Sequence, residues 1–390
     1  MDNWKEILEQ FNTVGTLCEP KVLGNGLIND TFIVRTAEPE CDDYVLQRIN
    51  NAIFPDVELL QRNIEIVTDH IRAKLHARGE KDIKRKALQF IKTRDSQLYS
   101  CGNLPSSADG RANFSNADGS ADGVKTYVCV DGKYWRLSVF IENSKSYEVV
   151  TPKFAYLTGK SFGDFEGMLS DIPVGKVGAS IVNFHNLKFR LGELNAAIAA
   201  DTAGRVQEMK TVIDRVLAAA DRMCVAQDEQ EAGKLPTRLA HCDTKVNNML
   251  FDAKDNSFLC VIDLDTVMPS TVLSDFGDFI RTAGNCGAED DKDLSKVHLN
   301  MPVFQSFAKG YLEGTKDFLT LREKELLPFG GAMMTYMQTV RFLADYLNGD
   351  TYYKTKYPRH NYDRTMAQLT LFEDIEKHLQ EMNNYIQSII

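Results

Sequence analysis

The chain has 390 residues, 43% of them hydrophobic and 26% charged, and a formal net charge of −10. The length exceeds one small core and points to two domains, or to one domain with two lobes, and the composition is that of a globular protein. The acidic balance argues against non-specific binding to nucleic acid or to an anionic membrane surface. Any anionic ligand must therefore be held by a local set of donors and cations.

Residues 1–12 alternate charge and hydrophobe at helical spacing, which predicts a short amphipathic helix rather than a signal peptide. KVLGNGLINDTFIVRT, Lys21 to Thr36, reads as strand, tight Gly/Asn loop and strand. Asp43 to Ile49 is a third strand. Leu59, Leu60, Ile64, Val67, Ile71 and Leu75 then recur at helical steps behind Pro55, predicting a helix over 55–78. Ala87 to Ile91 reads as another strand. Residues 101–123 carry only Leu104 and Phe114 as bulky apolar side chains, so they predict a flexible surface insertion. Tyr127 to Val130 and Tyr134 to Ile141 form a hairpin around an Asp131-Gly132 turn.

Beyond the polar connector ENSKSYEVV the pattern turns helical, over 153–169, 187–200, 205–226, 303–312, 322–348 and 361–389. A β-like pair, 249–252 and 258–262, interrupts it. The expected class is α+β: a small β-rich N-terminal lobe, residues 1–141, and a larger, mainly helical C-terminal lobe, residues 142–390. No apolar run reaches the roughly 18 residues of a membrane span. The eight Cys show no CxxC spacing and read as reduced thiols in the cytoplasm.

Several short stretches carry chemistry. In HCDTKVNNML, Asp243 is followed five residues on by Asn248. Phosphoryl transfer needs a carboxylate beside the acceptor hydroxyl and hard oxygen ligands for the metal on the donor phosphates, and an Asp–Asn pair at this spacing supplies both. The spacing alone also suits a polar turn. In CVIDLDTV an apolar strand ends at Asp263, two residues before Asp265, which places carboxylates suited to Mg²⁺ at a strand exit. A strand–turn–strand between Asn248 and Asp263 would bring them side by side. Together the two stretches predict a metal-assisted phosphoryl site. SDFGDFIR spells a similar acid motif, but TVLS before it is no strand end, so Asp275 and Asp278 are expected to be structural or to support the metal ligands from behind.

The Gly24-Asn25-Gly26 turn would let backbone N–H groups approach phosphate oxygens, or it is a plain hairpin turn. Arg48 in YVLQRI is the candidate cation for the α- and β-phosphates, with Glu65 as preferred helical partner and Glu58 as the alternative. Arg341 to Thr365 is rich in Tyr, Arg, Asn and Asp, side chains that stack on sugar rings and bond hydroxyls. The His residues show no metal spacing, and His185 is expected to be structural. Lys245 and Asn247 receive no assignment.

The order GNGLINDTF, YVLQRIN, YWRLSVFIENS, HCDTKVNNMLFD, VIDLDTVMP, DFGDFIR and RFLADYLNGDTYYK resembles the aminoglycoside phosphotransferase-like kinases, and among them the N-acetylhexosamine 1-kinase group. The resemblance covers nearly the whole chain outside 101–123. It implies a protein-kinase-like bilobal fold with ATP and Mg²⁺ as cofactors. The adenine would lie against Phe140, Ile141 and Glu142. Asp243 would orient or deprotonate a sugar 1-hydroxyl, Asn248 and Asp263 would hold Mg²⁺, and Arg341 and Tyr352 would bind the acceptor. One departure is visible: the turn reads Gly26-Leu27-Ile28-Asn29 where a His is expected in the N-acetylhexosamine enzymes. The implied activity is phosphorylation of the anomeric hydroxyl of an N-acetylhexosamine or related sugar. The alternatives are a kinase for an aminoglycoside, choline or homoserine, and a nucleotide-binding pseudokinase.

Overall fold

The computed structural model describes residues 3–24, 28–94, 124–147 and 150–390. Asn25, Gly26 and the 101–123 insertion lie outside the described residues. The chain divides into two compact units, Met1–Asn143 and Ser144–Ile390.

The first unit contains α1 (Trp4–Glu9), β1 (Lys21–Val22), β2 (Asp30–Val34), β3 (Tyr44–Ile49), α2 (Val57–Ala77), α3 (Ile83–Lys86), β4 (Tyr127–Val130) and β5 (Lys133–Val139). The strands form one sheet in the order β1-β2-β3-β5-β4, and every pairing is antiparallel. The β4–β5 hairpin closes through Asp131 and Gly132, both at positive φ (50° and 73°), as a tight two-residue turn requires. Val34, Tyr44, Leu46, Val128, Trp135 and Leu137 make the core of this sheet, with Ile7, Leu8 and Phe11 of the α1 region against it. Asp56 caps α2 by accepting the Leu59 N–H at 2.9 Å.

Residues 87–91 form no strand. They make one isolated bridge, Phe90 to Ser138, because β4 pairs only as far as Arg136 of β5. Gln89 and Ile91 satisfy the stretch of β5 edge that remains: Ile91 N–H donates to Leu137 O and Val139 N–H to Gln89 O. Cys129 in β4 is disulfide-bonded, a departure from eight reduced thiols.

The second unit contains β6 (Ser144–Lys145), α4 (Pro152–Leu169), α5 (Leu187–Ala200), α6 (Val206–Leu217), α7 (Ala220–Met223), α8 (Val225–Glu231), β7 (Arg238–Ala240), β8 (Met249–Asp252), β9 (Phe258–Val261), β10 (Met268–Ser270), α9 (Val272–Thr282), α10 (Met301–Gly314), α11 (Leu321–Leu347) and α12 (His360–Ile389). The expected helix over 205–226 is instead three shorter helices. Two small sheets, β6-β8-β9 and β7-β10, sit among the helices. α9 and the β7–β10 pair were not foreseen in the sequence.

The helices pack closely because glycines face each other. A Cβ on Gly159 of α4 would stand 2.2 Å from Phe307 O of α10, and one on Gly310 of α10 would stand 2.0 Å from Tyr156 O of α4. The glycine of the SDFGD stretch, Gly277 of α9, does the same against Gly330 of α11. Phe276 and Phe279 of α9 are fully buried, and Phe279 stacks on Phe307 at 3.6 Å. The apolar positions 273, 276, 279 and 280 form the core stripe of a helix. α9 is thus a rigid central element, and its polar residues serve the site. Among the described residues no helix is long and apolar enough to cross a membrane.

Candidate active site

The centre of the site is the loop between β7 and β8. Leu239 and Ala240 of β7 are buried, and the chain leaves the strand at His241. Cys242 takes a left-handed conformation, φ 62°, which turns the backbone sharply. A 3₁₀ turn, Val246–Asn248, then feeds β8.

This bent backbone is held by side chains of α9. Asp275 accepts the His241 N–H at 2.7 Å and the Cys242 N–H at 2.6 Å. Asp278 accepts the Thr244 N–H at 3.1 Å, while the Thr244 hydroxyl donates to Asp275 O at 2.6 Å. Arg281 donates to Asp278 at 2.7 and 3.0 Å and to Glu289 at 2.5 Å. Burial opposes the Arg281 charge, but these two carboxylates outweigh it and raise its pKa. The expectation that Asp275 and Asp278 do not hold the metal agrees with this geometry: both carboxylates are spent on the loop.

Asp275 itself leans on Glu166 of α4. Burial, then the Asp275 charge, push the Glu166 carboxyl well above the usual range, and burial raises Asp275 too. Two adjacent buried carboxyls do not both ionise, so Glu166 stands protonated and Asp275 carries the charge. Tyr311 donates its hydroxyl to Glu166 at 2.7 and 2.8 Å.

His241 is fully buried, edge-on to Phe162 and Phe165. Its Nδ1 accepts the Asp243 N–H at 3.3 Å and its Nε2 lies 2.9 Å from Ile262 O. Those two partners assign the tautomer: Nε2 carries the proton and the ring is neutral. The imidazole ties the loop to the strand that leads to Asp263.

Asp243 remains partly open, its side chain 24% exposed. Its Oδ1 lies 2.8 Å from Lys245 Nζ, and its Oδ2 accepts from Asn248 Nδ2 at 3.1 Å. Asn248 Nδ2 also donates to Asp243 O at 2.8 Å. With its nitrogen committed to Asp243, Asn248 presents its amide oxygen on the opposite side, a hard donor suited to Mg²⁺. Burial pulls the Lys245 ammonium down, but Asp243 and Asp278 outweigh it and its pKa is raised.

The β8–β9 hairpin brings the two predicted metal residues together. Ile262 N–H donates to Asn248 O at 2.9 Å, which sets Asp263 beside Asn248. Asp263 adopts φ 58° and starts a short helical turn that carries Asp265. Asp265 is buried, and its backbone carbonyl accepts the Ser180 hydroxyl at 2.7 Å. Among the described residues no three His, Cys, Asp or Glu side chains form a metal cage. Mg²⁺ asks for none, since it is commonly held by one or two carboxylates plus substrate phosphates.

Arg341 of α11 is half-buried, bonded to Gln338 at 3.2 Å, with its guanidinium over the rings of Phe184 and Tyr353 at 5.3 and 5.6 Å. Tyr352 is 60% exposed and packs edge-on against Tyr353 at 4.8 Å. The turn that bears both tyrosines is fixed by buried Asp345, which accepts the N–H groups of Thr351, Tyr352 and Tyr353 at 2.9, 2.8 and 3.0 Å.

In the first unit, Gly24 has φ 72° and nothing within 4 Å of the place a Cβ would take. Arg48 pairs with Asp30 and not with Glu65. Asp30 faces Arg48 directly across the β2–β3 ladder, so a strand carboxylate reaches it before any acid of α2. Glu65 instead accepts the Thr126 hydroxyl at 2.6 Å, and Glu58 lies 3.2 Å from Lys125 Nζ. Phe140 donates its N–H to Asp43 O at 2.8 Å, Ile141 is buried, and Glu142 O accepts from Arg85 at 3.2 Å. Arg136, a buried cation on β5 without an assignment from the sequence, donates to Gln47 at 3.0 Å. The alternation of YVLQRI and YWRLSV was the available signal, since it sets Gln47 and Arg136 opposite each other.

Comparison with known proteins agrees with this architecture. Residues 125–308 match the family described as the phosphotransferase enzyme family. An aminoglycoside phosphotransferase from Alicyclobacillus acidocaldarius superposes with a TM-score of 0.59 at 11% identity, covering 98% of this chain and 96% of that one. The spectinomycin phosphotransferase APH(9)-Ia, solved with ADP and spectinomycin, gives 0.56 at 11% identity, covering 98% and 99%. An ethanolamine kinase from Plasmodium vivax gives 0.50 at 14% identity, covering 92% and 83%. At these identities the shared property is the fold, and it is the protein-kinase-like fold expected above.

Proposed function

We propose that the protein is an ATP-dependent small-molecule kinase that phosphorylates the anomeric hydroxyl of an N-acetylhexosamine or related sugar. The observation that carries the kinase reading is Asp243, half-open on a rigid loop, with Lys245 on one carboxylate oxygen and Asn248 on the other. Asp243 takes or orients the proton of the C1 hydroxyl. The hydroxyl oxygen bonds to the γ-phosphorus, the bond to the β-phosphate oxygen breaks, and the products are a sugar 1-phosphate and ADP. Lys245, 2.8 Å from Oδ1, holds the Asp243 carboxylate in place. Asn248, Asp263 and Asp265 are assigned to Mg²⁺, which when bound neutralises charge on the transferring phosphates. Gly24 to Gly26, Arg48 and Phe140 to Glu142 are assigned to ATP, and Arg341 and Tyr352 to the acceptor. A protein that transfers phosphoryl in this way works mostly by positioning.

The sugar preference is supported by the aromatic and Arg-rich surroundings of Arg341, which suit a hydroxylated neutral ring better than a cation. An ATP-coupled screen of free N-acetylhexosamines, aminoglycosides, choline, ethanolamine and homoserine tests it. Turnover with an N-acetylhexosamine at least tenfold above every amino alcohol is the expected result. Turnover confined to a cationic alcohol would replace the sugar reading with the amino-alcohol one.

A further inference from the structure

His185 has a use that its place in the sequence does not suggest. It sits in the turn Ser180–Asn186 that enters α5, after the buried Ser180. Its ring lies flat on Phe184, with centroids 4.5 Å apart and planes 16° apart. Phe184 in turn lies under the Arg341 guanidinium and packs on the cluster formed by Ala240, Cys242 and Met268 beside the catalytic loop. A continuous stack, His185–Phe184–Arg341, therefore links that loop to the residue assigned to the acceptor.

Two features of this stack leave hydrogen-bonding capacity unused. His185 Nδ1 is buried with no hydrogen bond to any protein group. Native interiors pair such atoms in the great majority of cases, and an exception calls for a ligand or water. Arg341 makes no ion pair among the described residues and bonds only the neutral Gln338. A half-buried guanidinium over two rings and an unpartnered imidazole nitrogen can both be satisfied by hydroxyl groups, which donate and accept, as on a neutral polyol.

The electrostatics fit. Burial, and then the positive charges of Arg341, Arg281 and Arg190, hold the His185 pKa down to about 3 against the opposing pull of Asp243. That value leaves the ring neutral near pH 7, and a neutral imidazole nitrogen can either donate or accept one hydrogen bond.

We infer that His185 is an acceptor-binding residue, its Nδ1 taking a hydrogen bond from a hydroxyl of the sugar while Arg341 donates to a neighbouring oxygen. This deepens the kinase reading and rests on it. It also bears on specificity: the Arg341 cation disfavours a neighbouring ammonium group, whereas a hydroxyl can bond to either residue.

The test uses the full chain, the best acceptor found in the screen and its monodeoxy analogues. His185→Phe keeps the ring on Phe184 and removes the nitrogen. His185→Asn offers an amide oxygen near the Nδ1 position. For His185→Phe the acceptor KM should rise about five- to tenfold, the loss of one neutral hydrogen bond. The KM for ATP should stay within twofold, and His185→Asn should recover part of the loss. One deoxy analogue should be handled equally by wild type and His185→Phe, naming the hydroxyl concerned. Equal acceptor KM values for wild type and a folded His185→Phe variant would overturn the assignment and leave the kinase reading standing. A wild-type protein that phosphorylates only ammonium alcohols would overturn the sugar reading and this assignment together. If both variants lose ATP and acceptor binding alike, with a lowered melting temperature, His185 is structural and the inference fails.

Discussion

The carboxylate of Asp275 holds Cys242 in a left-handed turn: its Oδ1 accepts the Cys242 N–H at 2.6 Å, where φ is 62°. A non-glycine residue in that region is costly, and the neighbouring structure has to over-determine it. The second carboxylate oxygen takes the His241 N–H at 2.7 Å, so one side chain of α9 fixes the direction in which Asp243 leaves the loop.

Replacing Asp275 by Ala removes both acceptors and leaves two buried N–H groups unpaired. The expected destabilisation is about 3–5 kcal/mol, read from urea unfolding. Turnover should fall together with stability, because Asp243 loses its frame. Asp275→Asn keeps one acceptor oxygen and should lie between the two.

Glu166 gives a pH signature. Its carboxyl is raised well above 4.5 in the folded protein, so the folded state holds a proton that the unfolded state has released. Stability from this group is complete below pH 4.5 and is lost as pH rises towards the folded value. Glu166→Gln imitates the protonated acid: its amide can donate to Asp275 and its oxygen can accept from Tyr311. The melting temperature of Glu166→Gln relative to wild type should therefore climb as pH rises above 5, and level off once pH passes the folded pKa of Glu166. A constant difference across that range would show that Glu166 is ionised in the folded protein.

Asp345 organises the turn that bears Tyr352, the residue proposed to bind the acceptor. It accepts the N–H groups of three successive residues, Thr351 to Tyr353, and the Asn361 amide at 2.8 Å. Asp345→Ala should raise the acceptor KM by about tenfold or more and leave the KM for ATP within twofold. Steady-state kinetics with each substrate varied in turn separates the two.

Gly277 tests the scaffold. A methyl group there would meet Gly330 O at 2.2 Å and Met334 Cγ at 2.6 Å. Backbone cannot yield as a flexible side chain does, so Gly277→Ala should destabilise by about 1–3 kcal/mol or more. Chemical denaturation measures it.

These relationships mark where sequence reasoning reached and where it stopped. The helices over 187–200 and 361–389 carry clear apolar periodicity, and the structure places helices there within a residue. The Asp131-Gly132 hairpin was legible because that dipeptide suits one turn geometry. α9 was obscured because SDFGDFIR looks like a polar motif. Its acids are buried for a tertiary reason, the bonds to the His241–Thr244 loop, which lies more than thirty residues earlier. Arg48 was paired with the wrong acid because spacing to the next helix says nothing about the residue directly across the sheet. The adjacency of Asn248 and Asp263 follows from a short hairpin, and the sequence shows its length. His185 carried no signal at all, since the stack it joins is assembled from α11 and the turn before α5.

The most direct test of the kinase account is Asp243→Asn, assayed with the acceptor that wild type uses best. Asparagine keeps the size and one oxygen but cannot take a proton. Turnover should fall by about 10²- to 10⁴-fold. ATP affinity, measured by calorimetry, should stay within a few-fold of wild type. Turnover near the wild-type value in that variant would contradict the role assigned to Asp243, and with it the reading of this loop as the centre of phosphoryl transfer.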